Sequence, residues 1–176
     1  MCGIAGLLDT SESAHAQMER MLARLAHRGP DDSGIWQDAA CGMALGHRRL
    51  SIIDLSPAGH QPMISDSGRY VLVYNGEIYN HAALRRELDA SGAGTHWRGT
   101  SDTETLLAAI EAWGVESTLE RCNGMFAVAL WDRQSRRLTL VRDRMGEKPL
   151  YFGWVAGRFA WASELKALAQ LSGWSP

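Results

Sequence analysis

Four short stretches of this chain carry residue types able to do chemistry. The first is MCGIAG, which sets a cysteine directly behind Met1. A thiol has an unperturbed pKa of about 8.5, so it needs a base to act as a nucleophile near neutral pH. The sequence places no histidine beside Cys2. Removal of Met1 supplies another base, the α-amine of Cys2 itself, whose ordinary pKa of about 7.7–8.0 makes the proton transfer cost on the order of 1 kcal/mol. Nucleophile and base then belong to one residue, as in N-terminal threonine enzymes. The competing reading is strand filler, since free cysteine is among the most buried residue types.

The second stretch is YNGEIYN. If a strand ends at Tyr74, the Asn75 side-chain amide and the Gly76 N–H lie at a turn and converge on one point. A tetrahedral oxyanion requires two such donors, and losing one typically costs about 3 kcal/mol of barrier. An ordinary Asn-Gly turn is the alternative. In GHRRLSIIDL, one guanidinium, of Arg48 or Arg49, is suited to grip a carboxylate through a bidentate pair, a task Lys performs less well. The alternative there is a solvated strand end; alternation puts Arg48 and Arg49 on opposite sheet faces. Asp102 stands just inside a helix start, where a carboxylate complements the helix dipole and need do nothing more.

The elements that position these residues can be read from periodicity. Met18, Met21, Leu22 and Leu25 recur at helical spacing, and HRGPDD ends that helix with Gly29 and Pro30. A β stretch follows over 34–36 and 43–53, and SPAGHQPM reads as a loop. A strand is expected over about 69–74. Leu84 and Leu88 mark a helix ending in the glycine-rich SGAGTHWRG. In SDTETLL the S-x-x-E pattern fits a capping box, with Ser101 accepting from first-turn amides and Glu104 reaching back. GMFAVALWD with RRLTLVRD reads as a hairpin, PLYFGW with GRFAWA as a second joined by 155–157, and SELKALAQL as a closing helix. Strands and helices fall in separate blocks, which predicts an α+β fold with largely antiparallel sheets.

Composition narrows the partners. The 176 residues, 45% hydrophobic, suffice for one core and are too few for two ordinary domains. A formal charge of -2 leaves no basic field for a nucleic acid backbone. Cys2, Cys41 and Cys122 fit no metal-ligand spacing and cannot all pair, which favours a reducing, cytoplasmic setting. No uncharged stretch approaches the roughly 18–20 residues of a membrane span.

Taken in order, MCGIAG, HRGPDDSG, GHRRLSIIDLSPAGHQPM, YNGEIYN, TSDTETLL, CNGMFAVALWD, RDRMGEKPLYFG and ASELKAL cover nearly the whole chain. The sequence closely resembles the N-terminal glutaminase domain of glutamine-hydrolysing asparagine synthetase, a class II glutamine amidotransferase of the N-terminal-nucleophile hydrolase superfamily. The resemblance implies a four-layer αββα sandwich of two antiparallel sheets over residues 1–176. It implies that Cys2, freed of Met1, attacks the side-chain amide carbon of glutamine, with Asn75 and Gly76 as oxyanion hole. Arg49 would hold the α-carboxylate, helped by the backbone of Leu50, Ser51, Ile52 and Ile53, and Glu77 and Asp102 would receive the α-amino group. The spacer SGAGTHWRG departs most from the family pattern.

The resemblance further implies that ammonia passes to an ATP-dependent synthetase domain or subunit, absent from this chain, which would use ATP and Mg; no cofactor or metal is expected here. Aspartate is the default acceptor, and another carboxylate such as a sugar acid of surface polysaccharide is the alternative. A homodimer is open. A catalytically silent glutamine-binding or scaffolding domain is the remaining alternative, because a retained Met1 turns the Cys2 amine into an amide.

Overall fold

The computed structural model describes residues 1–11, 13–92 and 96–175. The centre of the spacer SGAGTHWRG therefore lies outside the described residues. One antiparallel sheet comprises, in spatial order, β2 (Asp32–Asp38), β3 (Met43–Arg49), β1 (Gly3–Leu8), β9 (Arg158–Ala162) and β8 (Tyr151–Val155). The other comprises β4 (Met63–Ile64), β5 (Tyr70–Ile78), β6 (Gly124–Asp132) and β7 (Arg137–Arg142).

The two-residue alternation of strands sorts their side chains into layers. From β1 and β3, Ile4, Met43 and Leu45 point between the sheets, where they meet Val71, Val73, Ala127, Ala129, Trp131 and Trp161. Trp161 lies against Gly6, where an added Cβ would stand 2.0 Å from the indole, so only glycine admits the ring. Ala5, Leu7 and Ala44 point the other way, onto α1 (Ala14–Arg24) and α5 (Leu165–Leu168). The N-cap of α1, Ser13, makes no side-chain cap bond. What holds α1 is the buried stripe of Met18, Met21 and Leu22, each worth about 1.5–3 kcal/mol. On the outer face of the second sheet, Leu72, Tyr74, Ile78 and Val128 pack on α2 (His81–Ala90), α3 (Asp102–Trp113) and α4 (Val115–Arg121). Helix, sheet, sheet, helix is the expected four-layer αββα sandwich.

Both expected hairpins form; the β8–β9 turn places Ala156 and Gly157 at φ of 48° and 80°, as a primed turn demands. Four expectations need correction. The strand expected to end at Tyr74 continues to Ile78 and pairs with β6 throughout, Asn75 opposite Ala127 and Gly76 opposite Phe126, so no Asn-Gly turn exists. The β stretch expected to reach residue 53 stops at Arg49, because the carbonyls of Asp54 and Ser56 fold back onto the Arg49 guanidinium instead of pairing with a strand. Ser101 Oγ accepts from Glu104 N at 3.2 Å as expected. The Glu104 carboxylate, however, reaches past the cap to the N–H groups of Arg98 and Gly99, at 2.7 and 3.1 Å. The closing helix shrinks to Leu165–Leu168, and α4, set off from α3 by Gly114 at φ 80°, had no sequence expectation.

Candidate active site

The site begins with an unpaired strand edge. β4 is two residues long and covers only Val71 and Leu72, so among the described residues β5 beyond that point has no neighbouring strand on its outer edge. Side chains and one cross-sheet imidazole take over the exposed backbone groups. Tyr74 N–H donates to Gln61 Oε1 (2.7 Å), Ile78 N–H donates to Asp102 Oδ2 (3.0 Å), and Tyr74 O accepts from His47 Nε2 (3.1 Å). Strand alternation points the Gly76 N–H, which lies between Tyr74 and Ile78, to the same edge. No acceptor takes it among the described residues. Beside it, the Asn75 side chain is 2% exposed and its Nδ2 also lacks a partner among the described residues. Buried donors almost always find acceptors, so two unspent donors on consecutive residues mark a place for one. A Cβ at Gly76 would lie 2.4 Å from Met125 O, which restricts this position to glycine.

Cys2 precedes β1 and is held at both ends of the residue. Its carbonyl accepts from Arg28 Nε at 2.8 Å, and Arg28 Nη1 donates to Glu164 Oε1 at 2.8 Å. Its Sγ accepts from Leu50 N at 3.4 Å. Burial pushes the thiol above its ordinary pKa, against the opposing pull of the Leu50 N–H, the positive N-terminus and Arg49. The resting sulfur is therefore a protonated thiol in need of a base.

Arg49 faces the inter-sheet space with Met43, Leu45 and His47, whereas Arg48 faces outward and donates to Gly29 O (3.1 Å). The Arg49 guanidinium is buried; Nη1 donates to Ser56 O (2.9 Å) and Nη2 to Asp54 O. Of its five N–H groups, three remain available among the described residues. Gly59 fits against it so closely that a Cβ there would sit 2.0 Å from Nη2. Asp54 in turn fixes the loop, accepting from Ser56 N and Thr100 N, and the Ser56 side chain with the Thr100 N–H holds its carboxyl at about 2.

The thiol, the two unspent donors and the guanidinium meet at one cavity of about 170 Å³. Cys2, Arg49, Leu50, Ile52, Ile53, Asn75, Gly76, Glu77 and Asp102 line it. Ser51, expected with them, does not: its N–H is spent on Asp31 Oδ2 at 2.8 Å, and it lines a hollow on the other side with His60. Asp102, 5% exposed, accepts from Tyr74 Oη (2.6 Å) and Thr103 N (3.0 Å) as well as Ile78 N. The cavity thus offers a thiol, two unspent donors, a guanidinium with free N–H groups and, besides Asp54 of the loop, the carboxylates of Glu77 and Asp102. That set matches a zwitterionic amino acid bearing a reactive carbonyl. No cluster of His, Cys, Asp and Glu able to hold a metal occurs among the described residues.

Residues 1–176 match the family model described as a glutamine amidotransferase domain. The chain belongs to the glutamine amidotransferase family. It is 39% identical over 173 residues to asparagine synthetase [glutamine-hydrolyzing] 3 of Bacillus subtilis, covering 96% of this chain and 27% of that protein. It is likewise 39% identical over 172 residues to asparagine synthetase [glutamine-hydrolyzing] of Asparagus officinalis, covering 96% of this chain and 28% of that protein. The chain thus spans about a quarter of the length of these relatives. Among solved structures, glutamine phosphoribosylpyrophosphate amidotransferase from B. subtilis superposes with a TM-score of 0.80 at 22% identity, over 96% of this chain and 43% of that one. That likeness shows that the two share a fold.

In this glutamine amidotransferase domain the structure adds residues that the sequence reading did not single out. Gly59 and Gln61 lie in SPAGHQPM, which reads only as a connector, and Tyr74 looks like one more apolar strand residue. Arg28 and Glu164 come from HRGPDDSG and ASELKAL, motifs to which no chemistry had been attached. Lys148, also unassigned, is buried, lines the cavity and forms no ion pair among the described residues.

Proposed function

We propose that this chain hydrolyses glutamine to glutamate and ammonia, and that removal of Met1 completes the site by freeing the α-amine of Cys2. One observation carries the reading: the Cys2 thiol shares a cavity with two adjacent unspent donors, Asn75 Nδ2 and Gly76 N–H. The α-amine takes the thiol proton as Sγ attacks the amide carbon, and the charge that forms on the carbonyl oxygen falls to those two donors. The C–N bond breaks as the α-amine returns its proton to the departing nitrogen. Ammonia leaves, and a γ-glutamyl thioester stays on Cys2. Water then adds to the thioester, the C–S bond breaks, and glutamate and the thiol are regenerated. Arg49 holds the α-carboxylate and Glu77 with Asp102 the α-amino group, which aims the amide at sulfur. Leu50, Ile52 and Ile53 wall the substrate.

The names and lengths of the relatives support a wider role. Ammonia would be consumed by an ATP- and Mg-dependent synthetase portion or partner that amidates a carboxylate, aspartate by default. The free cysteines favour a cytoplasmic setting. Intact-mass measurement read beside glutamate release tests the core proposal. Loss of one methionine with glutamate release is expected, and Cys2→Ala should abolish release while glutamine still binds. A processed protein that releases no glutamate, alone or with a synthetase partner, refutes it, and release that survives Cys2→Ala refutes the nucleophile.

A further inference from the structure

Tyr74 is held at three points by three separate parts of the fold. Its N–H donates to Gln61 Oε1 from the SPAGHQPM loop, and its carbonyl accepts from His47 Nε2 across the sheets. Its phenol donates to Asp102 Oδ2 at the start of α3. His47 is fully buried and held neutral, its pKa driven down to about 3 by burial, so the cross-sheet bond is an Nε2–H donation. The backbone ties fix the peptide leading into Asn75, the next residue. The phenol tie reaches the carboxylate proposed to meet the substrate ammonium. One residue therefore connects the two halves of the site.

We propose that Tyr74 is a positioning residue: its phenol aims Asp102 so that Oδ1 receives the substrate's α-ammonium, while its clamped backbone holds the oxyanion donors in register. The assignment of Oδ1 follows from counting acceptor sites. An ionised carboxylate offers about four lone-pair directions, two on each oxygen. Oδ2 has spent both, on Tyr74 Oη and Ile78 N, and Oδ1 has spent one, on Thr103 N. One direction remains, on Oδ1. Without the phenol, Oδ2 regains an unfilled direction inside a buried site, and the choice between the two Asp102 oxygens is no longer fixed. Because the phenol lies on the helix side of β5, with Leu72 and Ile78, its removal leaves the face bearing Asn75 unaltered.

This inference rests on glutamine being the ligand, so its test separates the two. In the full chain carrying Cys2→Ala, binding of glutamine and of 4-carbamoylbutanoate, which lacks the α-amino group, is measured by calorimetry with and without Tyr74→Phe. With Tyr74 present glutamine should bind the tighter, and Tyr74→Phe should cut that preference about tenfold, the scale of one hydrogen bond to a charged group. A purely structural role for the phenol weakens both ligands alike, so an unchanged preference overturns the proposal. Absence of glutamine binding with Tyr74 in place overturns the glutamine reading along with it. Tyr74→Phe keeps ring volume, and a matching circular dichroism spectrum and melting curve confirm that the comparison is between folded proteins. Gln61→Met provides the converse, since it removes the tie to the Tyr74 N–H, together with the Gln61 Nε2 bond to Thr103 Oγ1, and leaves the phenol's bond to Asp102 in place: in the Cys2-containing chain it should lower kcat for glutamine about tenfold with KM within about threefold. A rise in KM alone would count against the division of roles.

Discussion

Gly59→Ala tests the substrate grip without touching any group proposed to react. The backbone at Gly59 is in an ordinary region, so alanine itself is tolerated, but its Cβ would stand 2.0 Å from Arg49 Nη2 and 2.7 Å from Cζ. Ordinary carbon contacts begin near 3.5 Å, so the guanidinium must retreat by about 1.5 Å. The moving atoms are the end of a flexible side chain, so the strain is released by Arg49 and not by the sheets. Retreat breaks the Nη2 bond to Asp54 O and misaligns the N–H groups facing the cavity. A charge-assisted hydrogen bond is worth about 1.5–3 kcal/mol, so KM for glutamine should rise about 10- to 150-fold. Because the carboxylate is held equally in ground and transition states, kcat should stay within about threefold. Loss of one donor to a buried carbonyl costs about 1 kcal/mol, or about 2–4 °C in Tm for a domain of this size. Steady-state glutamate release and a thermal melt measure all three. A folded Gly59→Ala protein with unchanged KM would refute the assignment of Arg49 to the substrate carboxylate. Adding Arg49→Ala should then cost little more than Arg49→Ala alone, because both act through one guanidinium.

Two further outcomes follow from the same geometry. Asn75→Ala removes one of two oxyanion donors and should lower kcat about 10²- to 10³-fold with little change in KM; a fall under about threefold would show that Nδ2 does not serve the oxyanion. Asp54, held at about 2 by its bonds from Ser56 and Thr100, has a folded pKa below its unfolded value of about 3.9. Its contribution to stability is thus complete above about pH 4 and lost as pH falls through about 2. The Tm gap between the parent and Asp54→Asn should be constant from neutral pH down to about 5, then narrow towards pH 2. A gap that widens on acidification would invert the assigned direction.

Much of the fold was legible in the sequence because its driving forces are local. The stripe of Met18, Met21 and Leu22, the cap at Ser101 and the tight turn at Ala156 and Gly157 each declare themselves within a few residues, since helix period, capping and turn chemistry depend on neighbours in the chain. Strand ends were legible only in part. Val, Leu and Tyr in the run before Asn75 announce a strand, but what carries β5 through Asn75 and Gly76 to Ile78 is β6, which lies some fifty residues further along the chain.

The sequence by itself determined the reactive groups: a cysteine behind Met1, an arginine on the inward face of a strand, an Asn-Gly pair and a carboxylate at a helix start. These identities set the chemistry whatever the fold does with them. Only the tertiary structure decided how the groups are left unspent. β4 stops after two residues, so the edge of β5 stays open. Gln61, His47 and Asp102 then take the Tyr74 N–H, the Tyr74 carbonyl and the Ile78 N–H, while the Gly76 N–H between them keeps no acceptor among the described residues. Gly59 gives Arg49 its place, and Tyr74 gives Asp102 its direction. Such facts depend on which distant segments arrive at one edge, and no local pattern encodes the absence of a neighbouring strand.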